Sequence, residues 1–141
     1  MSAQTLATTT SSEAPRDASP VLLFVDDEEN ILNSLKRVFR ALGATMRTAR
    51  NGVEGLAVLD RQSVDLVISD MRMPEMDGAA FLAQVARRSP DTVRLLLTGY
   101  ADLDSTIAAI NHGHIHQYLR KPWEEGEIRL VVGNALEHQR L

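Results

Sequence analysis

The 141-residue chain contains no cysteine. Disulfide frameworks and thiolate metal sites are thereby excluded, and the expectation is a cytoplasmic protein. No run of Lys or Arg appears. With 15 basic against 19 acidic residues and a net charge of -4, the chain lacks the basic stripe that sequence-independent nucleic-acid binding requires. No apolar stretch approaches the ~20 residues needed to span a bilayer, so no membrane span is expected. A basic segment followed by an apolar one is missing near residue 1, so no secretory signal is expected. What is present is 44% apolar content, ordinary for a soluble globular chain. The length fits one domain with its own core.

Residues 1–19 are rich in Ser, Thr and Ala and almost devoid of large apolar side chains. Such a segment buries too little surface to offset its ordering entropy, so a disordered tail is expected there. From residue 20 onward, strand and helix signals alternate. Val21-Leu22-Leu23-Phe24-Val25 is a continuous apolar run, the pattern of a strand covered on both faces. Ile31, Leu35, Val38, Phe39 and Leu42 then fall on one helical face, which Gly43 ends. A short strand is expected over residues 44–49, and a helix around Val53, Leu56, Ala57 and Val58. Leu66-Val67-Ile68 reads as a buried strand. Phe81, Leu82 and Val85 mark a helix that stops before Ser89-Pro90. Residues 93–97 form another buried run. Leu103, Ile107 and Ile110 mark a helix ending near Gly113, residues 115–119 a last strand, and Ile128, Val131, Val132 and Ala135 a final helix. Five β-α alternations predict a doubly wound parallel sheet flanked by helices on both faces.

In such a sheet, ligands bind outside the carboxyl ends of the strands. The predicted strand ends carry Asp26-Asp27-Glu28-Glu29, Ser69-Asp70, Thr98-Gly99 and Lys121-Pro122. Three carboxylates, a hydroxyl and an ammonium should therefore share one edge. Singly, each has an ordinary explanation: an acidic residue before a helix caps it, a Thr makes a turn, a Lys faces solvent. Together they differ. Clustered carboxylates repel and raise one another's pKa unless a hard cation sits among them. Mg²⁺ (or Mn²⁺) suits oxygen ligands of this kind. A metal among carboxylates, with Lys121 and Thr98 beside it, matches the charge neutralisation that phosphoryl transfer requires. A carboxylate oxygen is a competent nucleophile, and Asp70, alone at the end of the middle strand, is the candidate.

The segments Val25-Asp26-Asp27-Glu28, Ser69-Asp70-Met71-Arg72-Met73-Pro74-Glu75-Met76-Asp77-Gly78, Leu97-Thr98-Gly99-Tyr100 and Tyr118-Leu119-Arg120-Lys121-Pro122 carry a family resemblance. Over residues 21–136 the chain resembles the receiver domain of two-component response regulators. The resemblance implies a flavodoxin-like receiver fold over residues 20–141, with five parallel strands in the order 2-1-3-4-5. It implies Asp70 as phosphoacceptor and Asp27 as direct metal ligand. Asp26 would act mainly through a metal-bound water, and the backbone carbonyl of Arg72 would be a further ligand. Thr98 and Lys121 would bind the phosphoryl group, and Tyr118 would be the aromatic switch. Arg72 and Tyr100 stand where the family tunes phosphoryl lifetime; both are bulky here and are expected to screen the acyl phosphate from water. Many relatives carry Ala or Ser where Gly99 stands.

The implied partners are a sensor histidine kinase or phosphotransfer protein and an output domain or effector. A homodimer through the face of the fourth helix, fifth strand and fifth helix is possible on the same grounds. The ending Tyr118-Leu119-Arg120-Lys121-Pro122-Trp123 is similar to receivers joined to cyclic-dinucleotide phosphodiesterase or transcriptional-activator modules. Two other readings stay open. A degenerate receiver would only bind partners. A metal-dependent phosphohydrolase would need a second catalytic Asp soon after Asp70, where Met71-Arg72 stand instead. His112, His114 and His116 alternate as strand ligands of Zn²⁺ or Ni²⁺ would, although Gly113 interrupts them. Trp123 reads either as a partner-docking aromatic or as a cap over the last helix. Glu124, Glu125 and Glu127 fit the positive end of that helix.

Overall fold

A computed structural model describes residues 19–99, 102–112 and 114–140. The expected tail thus lies outside the described residues, except for Ser19. Five strands run in chain order: β1 (Val21–Val25), β2 (Thr45–Ala49), β3 (Leu66–Asp70), β4 (Val93–Thr98) and β5 (Gln117–Arg120). Between and after them lie α1 (Glu29–Phe39), α2 (Gly52–Arg61), α3 (Gly78–Arg88), α4 (Leu103–Asn111) and α5 (Glu125–Arg140). All four strand pairings are parallel, and the sheet order is β2-β1-β3-β4-β5. The expected doubly wound topology is therefore the observed one.

Side chains of a strand alternate between faces, so each apolar run feeds two cores. Leu22, Phe24, Leu66, Ile68, Leu95, Leu97 and Leu119 join Leu35, Phe39 and Val132 in the core beneath α1 and α5. Leu23, Val25, Val67 and Leu96 join Leu56, Phe81, Val85 and Ala109 in the core beneath α2, α3 and α4. Phe24, Phe39 and Phe81 are fully buried, which stabilises by about 1.5–3 kcal/mol apiece. Phe24 and Phe39 stack with ring centroids 5.8 Å apart.

Three expected helix faces needed correction. Residues 40–42 form a 3-10 turn, so Leu42 rotates off the α1 face and is exposed. Gly43, at φ 69, then reverses the chain. Val53 in the first turn of α2 is 63% exposed, and Leu56 and Val58 carry that helix's burial. In α4 the inward face holds Thr106 and Ala109 rather than Ile107, which is 45% exposed; the side chain of Leu103 lies outside the described residues, as does Gly113. The last strand begins at Gln117, two residues later than expected, because Ile115 and His116 precede the ladder.

One charged residue lies inside a buried strand. Arg94 of β4 is only 6% exposed and has its guanidinium satisfied by carbonyls. Its Nε donates to His114 O at 2.8 Å, and its Nη1 donates to Pro90 O at 3.1 Å and Thr92 O at 3.0 Å. Both loops at the amino end of β4 are thus tied to one side chain. His116 closes the same corner, its Nδ1 accepting from the Arg94 N–H at 3.0 Å.

At the opposite edge, Gly78 sets the separation between α3 and β3. A Cβ there would collide with the backbone carbonyl of Asp70 and press on Leu96. Gly133 in α5 has open space around it. Gly78→Ala should therefore destabilise by about 2 kcal/mol or more, the range of overpacking. Gly133→Ala should stabilise by about 0.5–1 kcal/mol through helix propensity alone. Urea denaturation of both variants measures this pair of opposite signs.

Candidate functional site

The sheet order places β1 and β3 side by side, while the chain leaving β1 crosses to β2 on the far side. The loops after β1 and β3 diverge, which opens a crevice at the carboxyl edge of the sheet. Asp26 sits at the base of this crevice, its N–H donating to Ala49 O at 3.1 Å in continuation of the ladder. Its Oδ1 accepts from the Glu28 N–H at 2.8 Å, turning the chain into α1. The helix-entry role and a place in the site are therefore both met by Asp26. Asp27, next in the chain, is exposed.

Asp70 ends β3 and is 8% exposed; Asp26 is fully buried. Each of Asp26, Asp27 and Asp70 offers a carboxylate oxygen, and these oxygens lie within 4.8 Å of one another. Among the described residues this is the one group of three or more metal-ligating side chains so placed. The histidines 112, 114 and 116 are not brought together as ligands: the rings of His112 and His114 lie 6.0 Å apart, and the Nδ1 of His116 is spent on Arg94.

Lys121 reaches the trio from the end of β5. Its Nζ lies 2.8 Å from Asp70 Oδ1 and 3.3 Å from Asp26 Oδ2. Lys121 is followed by a cis peptide bond to Pro122. Burial pushes the Asp70 carboxyl above its ordinary value; Lys121 pulls it back, and the charge of Asp27 pushes it up again. Burial likewise raises Asp26, against the Glu28 hydrogen bond, and Asp70 adds to the rise. For Lys121, burial disfavours the charge, but the Asp70 and Asp26 carboxylates outweigh it and its pKa is raised.

Thr98 ends β4 and is 2% exposed. Its hydroxyl donates to Gly99 O at 3.2 Å and accepts from the hydroxyl of Thr106 at 3.3 Å. Tyr118 is half-buried and packs against the core beneath α2, α3 and α4. Tyr100 lies outside the described residues. Arg72 extends over the mouth of the crevice, where its Nε holds both carboxylate oxygens of Asp102 at 2.9 and 3.1 Å. An open cleft of about 470 Å³ lies there, lined by Asp27, Met71, Arg72, Met73, Asp77 and Asp102 among others. Asp77 is occupied as the N-cap of α3, accepting from Ala80 N–H at 2.8 Å. Glu124 likewise accepts from Glu127 N–H at 2.7 Å at the start of α5.

Sequence reading missed two residues of this neighbourhood, Asp102 and Thr106. Asp102 had no distinguishing motif. Thr106 did leave a trace, since a hydroxyl residue stands within the apolar pattern of α4.

Across the described sequence, residues 22–133 match the model of the response regulator receiver domain. The chain belongs to the response regulator receiver family. Similar curated proteins include the hydrogenase transcriptional regulatory protein HoxA of Cupriavidus necator, 36% identical over 89% of this chain and 26% of the relative. The transcriptional regulatory protein GlrR of Escherichia coli is 37% identical over 82% of the chain and 26% of its own length. The receiver thus spans about a quarter of these relatives. Among solved structures, the signal receiver domain of an HD domain-containing protein from Pseudomonas fluorescens superposes with a TM-score of 0.82. It is 43% identical, and the match covers 86% of this chain and 98% of that one. An uncharacterised protein from Neptuniibacter caesariensis superposes with a TM-score of 0.84 at 47% identity, covering 86% and 90%. Response regulator receivers act as signalling switches, and an acidic pocket that takes Mg²⁺ is general among them. No helix among the described residues is long and apolar enough to cross a membrane.

The raised carboxyl values fix a pH dependence. In EDTA, the native state binds protons at Asp26 and Asp70 more tightly than the unfolded chain does. Their contribution to stability is full below the ordinary value of 3.8 and is lost as pH rises through the raised values. Lys121 contributes evenly over that range, because its share is lost only above 10.5. Stability in EDTA should therefore fall as pH rises from about 4 toward neutrality as far as these groups are concerned. Asp70→Asn should flatten the slope and stabilise the chain at pH 7. Urea melts at stepped pH check both; a slope unchanged by Asp70→Asn refutes the assignment.

Proposed function

We propose that residues 20–141 form a phosphoaccepting receiver in which Asp70 takes a phosphoryl group from a histidine kinase or a phosphotransfer protein. The observation that carries this reading is Lys121 Nζ at 2.8 Å from Asp70 Oδ1, within a group of three carboxylates. One ammonium leaves this site with surplus negative charge, which suits a hard divalent cation. Asp26, Asp27 and Asp70, with the backbone carbonyl of Arg72, would hold Mg²⁺ or Mn²⁺. Once bound, the ion would neutralise charge on the phosphoryl oxygens.

The protein's own groups supply the rest. An Asp70 carboxylate oxygen attacks phosphorus and the P–O bond forms. The P–N bond to the donor imidazole breaks; the electron pair stays on nitrogen, which is protonated from solvent. Lys121, already against Asp70, neutralises a phosphoryl oxygen without reorganising. Thr98 donates a hydrogen bond to a second oxygen by turning from its Gly99 partner. Tyr118 follows inward, altering the face of α4, β5 and α5 toward an output domain or effector, or toward a second copy. The receiver catalyses only its own phosphorylation and dephosphorylation. A free-standing phosphohydrolase is disfavoured because Met71-Arg72 stand where its second catalytic Asp would follow Asp70, and Asp77 is occupied as a helix cap. The intact set of Asp26, Asp27, Asp70, Thr98 and Lys121 speaks against a degenerate receiver.

Incubation with acetyl phosphate and Mg²⁺ tests the reading directly. A mass increase of one phosphoryl group should appear in the wild type and vanish in Asp70→Asn or in EDTA. Labelling that survives Asp70→Asn places the acceptor elsewhere. The lifetime of the label tests Arg72. Its pairing with Asp102 holds the guanidinium across the mouth, so Arg72→Ala should quicken decay several-fold by admitting water, and Asp102→Asn should do so less. Decay unchanged in Arg72→Ala removes the screening role.

A further inference from the structure

Thr106 is a polar side chain with no accessible surface, placed on the inner face of α4. Its hydroxyl donates to the Thr98 oxygen at 3.3 Å. A buried hydroxyl keeps a hydrogen bond wherever one is available, because leaving it unmade costs its desolvation. The Thr98 hydroxyl is thus engaged on both sides, accepting from Thr106 and donating to Gly99 O. Neither partner belongs to the carboxylate trio. A Thr98 that serves a phosphoryl oxygen must turn its proton from Gly99 O toward Asp70, and the rotation about Cα–Cβ that does so carries its oxygen away from Thr106.

We propose that Thr106 is a positioning residue for Thr98: its buried hydroxyl holds the Thr98 side chain in the resting arrangement and couples that side chain to α4. This rests on the phosphoaccepting reading of Asp70. Two physical consequences follow. Rotation of Thr98 strands the Thr106 hydroxyl, which then needs a new acceptor such as the helix carbonyl one turn back. The cost of that exchange falls on the phosphorylated form alone. Thr106 therefore sets how far Asp70 modification shifts the equilibrium, and it transmits the rotation to α4 directly, in addition to any movement of Tyr118.

Beryllofluoride, a tetrahedral mimic of a phosphoryl group on a carboxylate, separates this role from plain packing. Its affinity for the full chain is measured with Mg²⁺ by titration calorimetry. Thr106→Val keeps the shape and removes the hydroxyl, and should strengthen binding about fivefold, the worth of one neutral hydrogen bond. Thr106→Ala gives the same direction should the valine variant fail to fold, and Thr106→Ser should restore the wild-type affinity. In a Thr98→Val background, Thr106→Val should have no effect. Unchanged or weaker binding by Thr106→Val overturns the proposal. An equal gain in the Thr98→Val background also overturns it, since the effect would then come from a loosened helix. Wild-type protein that binds no beryllofluoride overturns instead the phosphoaccepting reading beneath it.

Discussion

Three carboxylates and one ammonium meet at the carboxyl edge of this sheet, and the rest of the structure is arranged around that imbalance. Lys121 bridges Asp70 and Asp26, two acids almost withdrawn from solvent. The contact joins the end of β5 to the ends of β3 and β1, closing the edge across four adjacent strands. Burial alone would drive both acids toward the neutral form. The ammonium holds part of their charge in place, and surplus negative charge remains. A site of this kind is less stable than a neutral one of the same shape. It gains from anything that adds positive charge, and it is altered by anything that exchanges an oxygen for a more highly charged group.

The supporting shell keeps these groups in place through backbone rather than side-chain chemistry. Gly78 lets α3 approach the Asp70 carbonyl, and its own N–H donates to Met71 O at 2.8 Å. Lys121 N–H donates to Thr98 O at 3.0 Å, so the residue carrying the ammonium is registered on the residue carrying the hydroxyl. Met71 N–H donates to Leu97 O at 3.0 Å, extending β3 beyond Asp70. Asp70, Thr98 and Lys121 therefore hang from a bonded backbone ladder, with little freedom at their Cα atoms.

Much of this is legible in the sequence. The strands could be read because parallel sheets bury both faces and leave continuous apolar runs. The site could be read because α/β topology sends strand ends to one edge, so Asp26, Asp70, Thr98 and Lys121 needed only to be looked for there. The helix faces were less legible. Leu42 kept the period of α1 in sequence, but the tighter 3-10 turn moved it out. Ile107 looked like a core residue, yet α4 turns Thr106 inward instead. Apolar periodicity cannot find a face that includes a hydroxyl, because the partner that makes the hydroxyl tolerable, Thr98, is set by tertiary packing. The Arg72–Asp102 pair was hidden for the same reason: two surface charges in separate loops carry no mark of their pairing.

Arg94 gives the molecule a mechanical asymmetry. Its guanidinium gathers carbonyls from both loops at the amino end of β4, including His114 just beyond α4. Thr98 stands at the other end of the same strand. Helix α4 is thus anchored near its trailing end and touches the site near its leading end, through Asp102 and Thr106. A body fixed at one end and pushed at the other swings rather than slides. The sheet behind it serves as a frame, so under the proposed role of Thr106 a displacement of α4 begun by a phosphoryl group on Asp70 would be largest beside the acidic crevice.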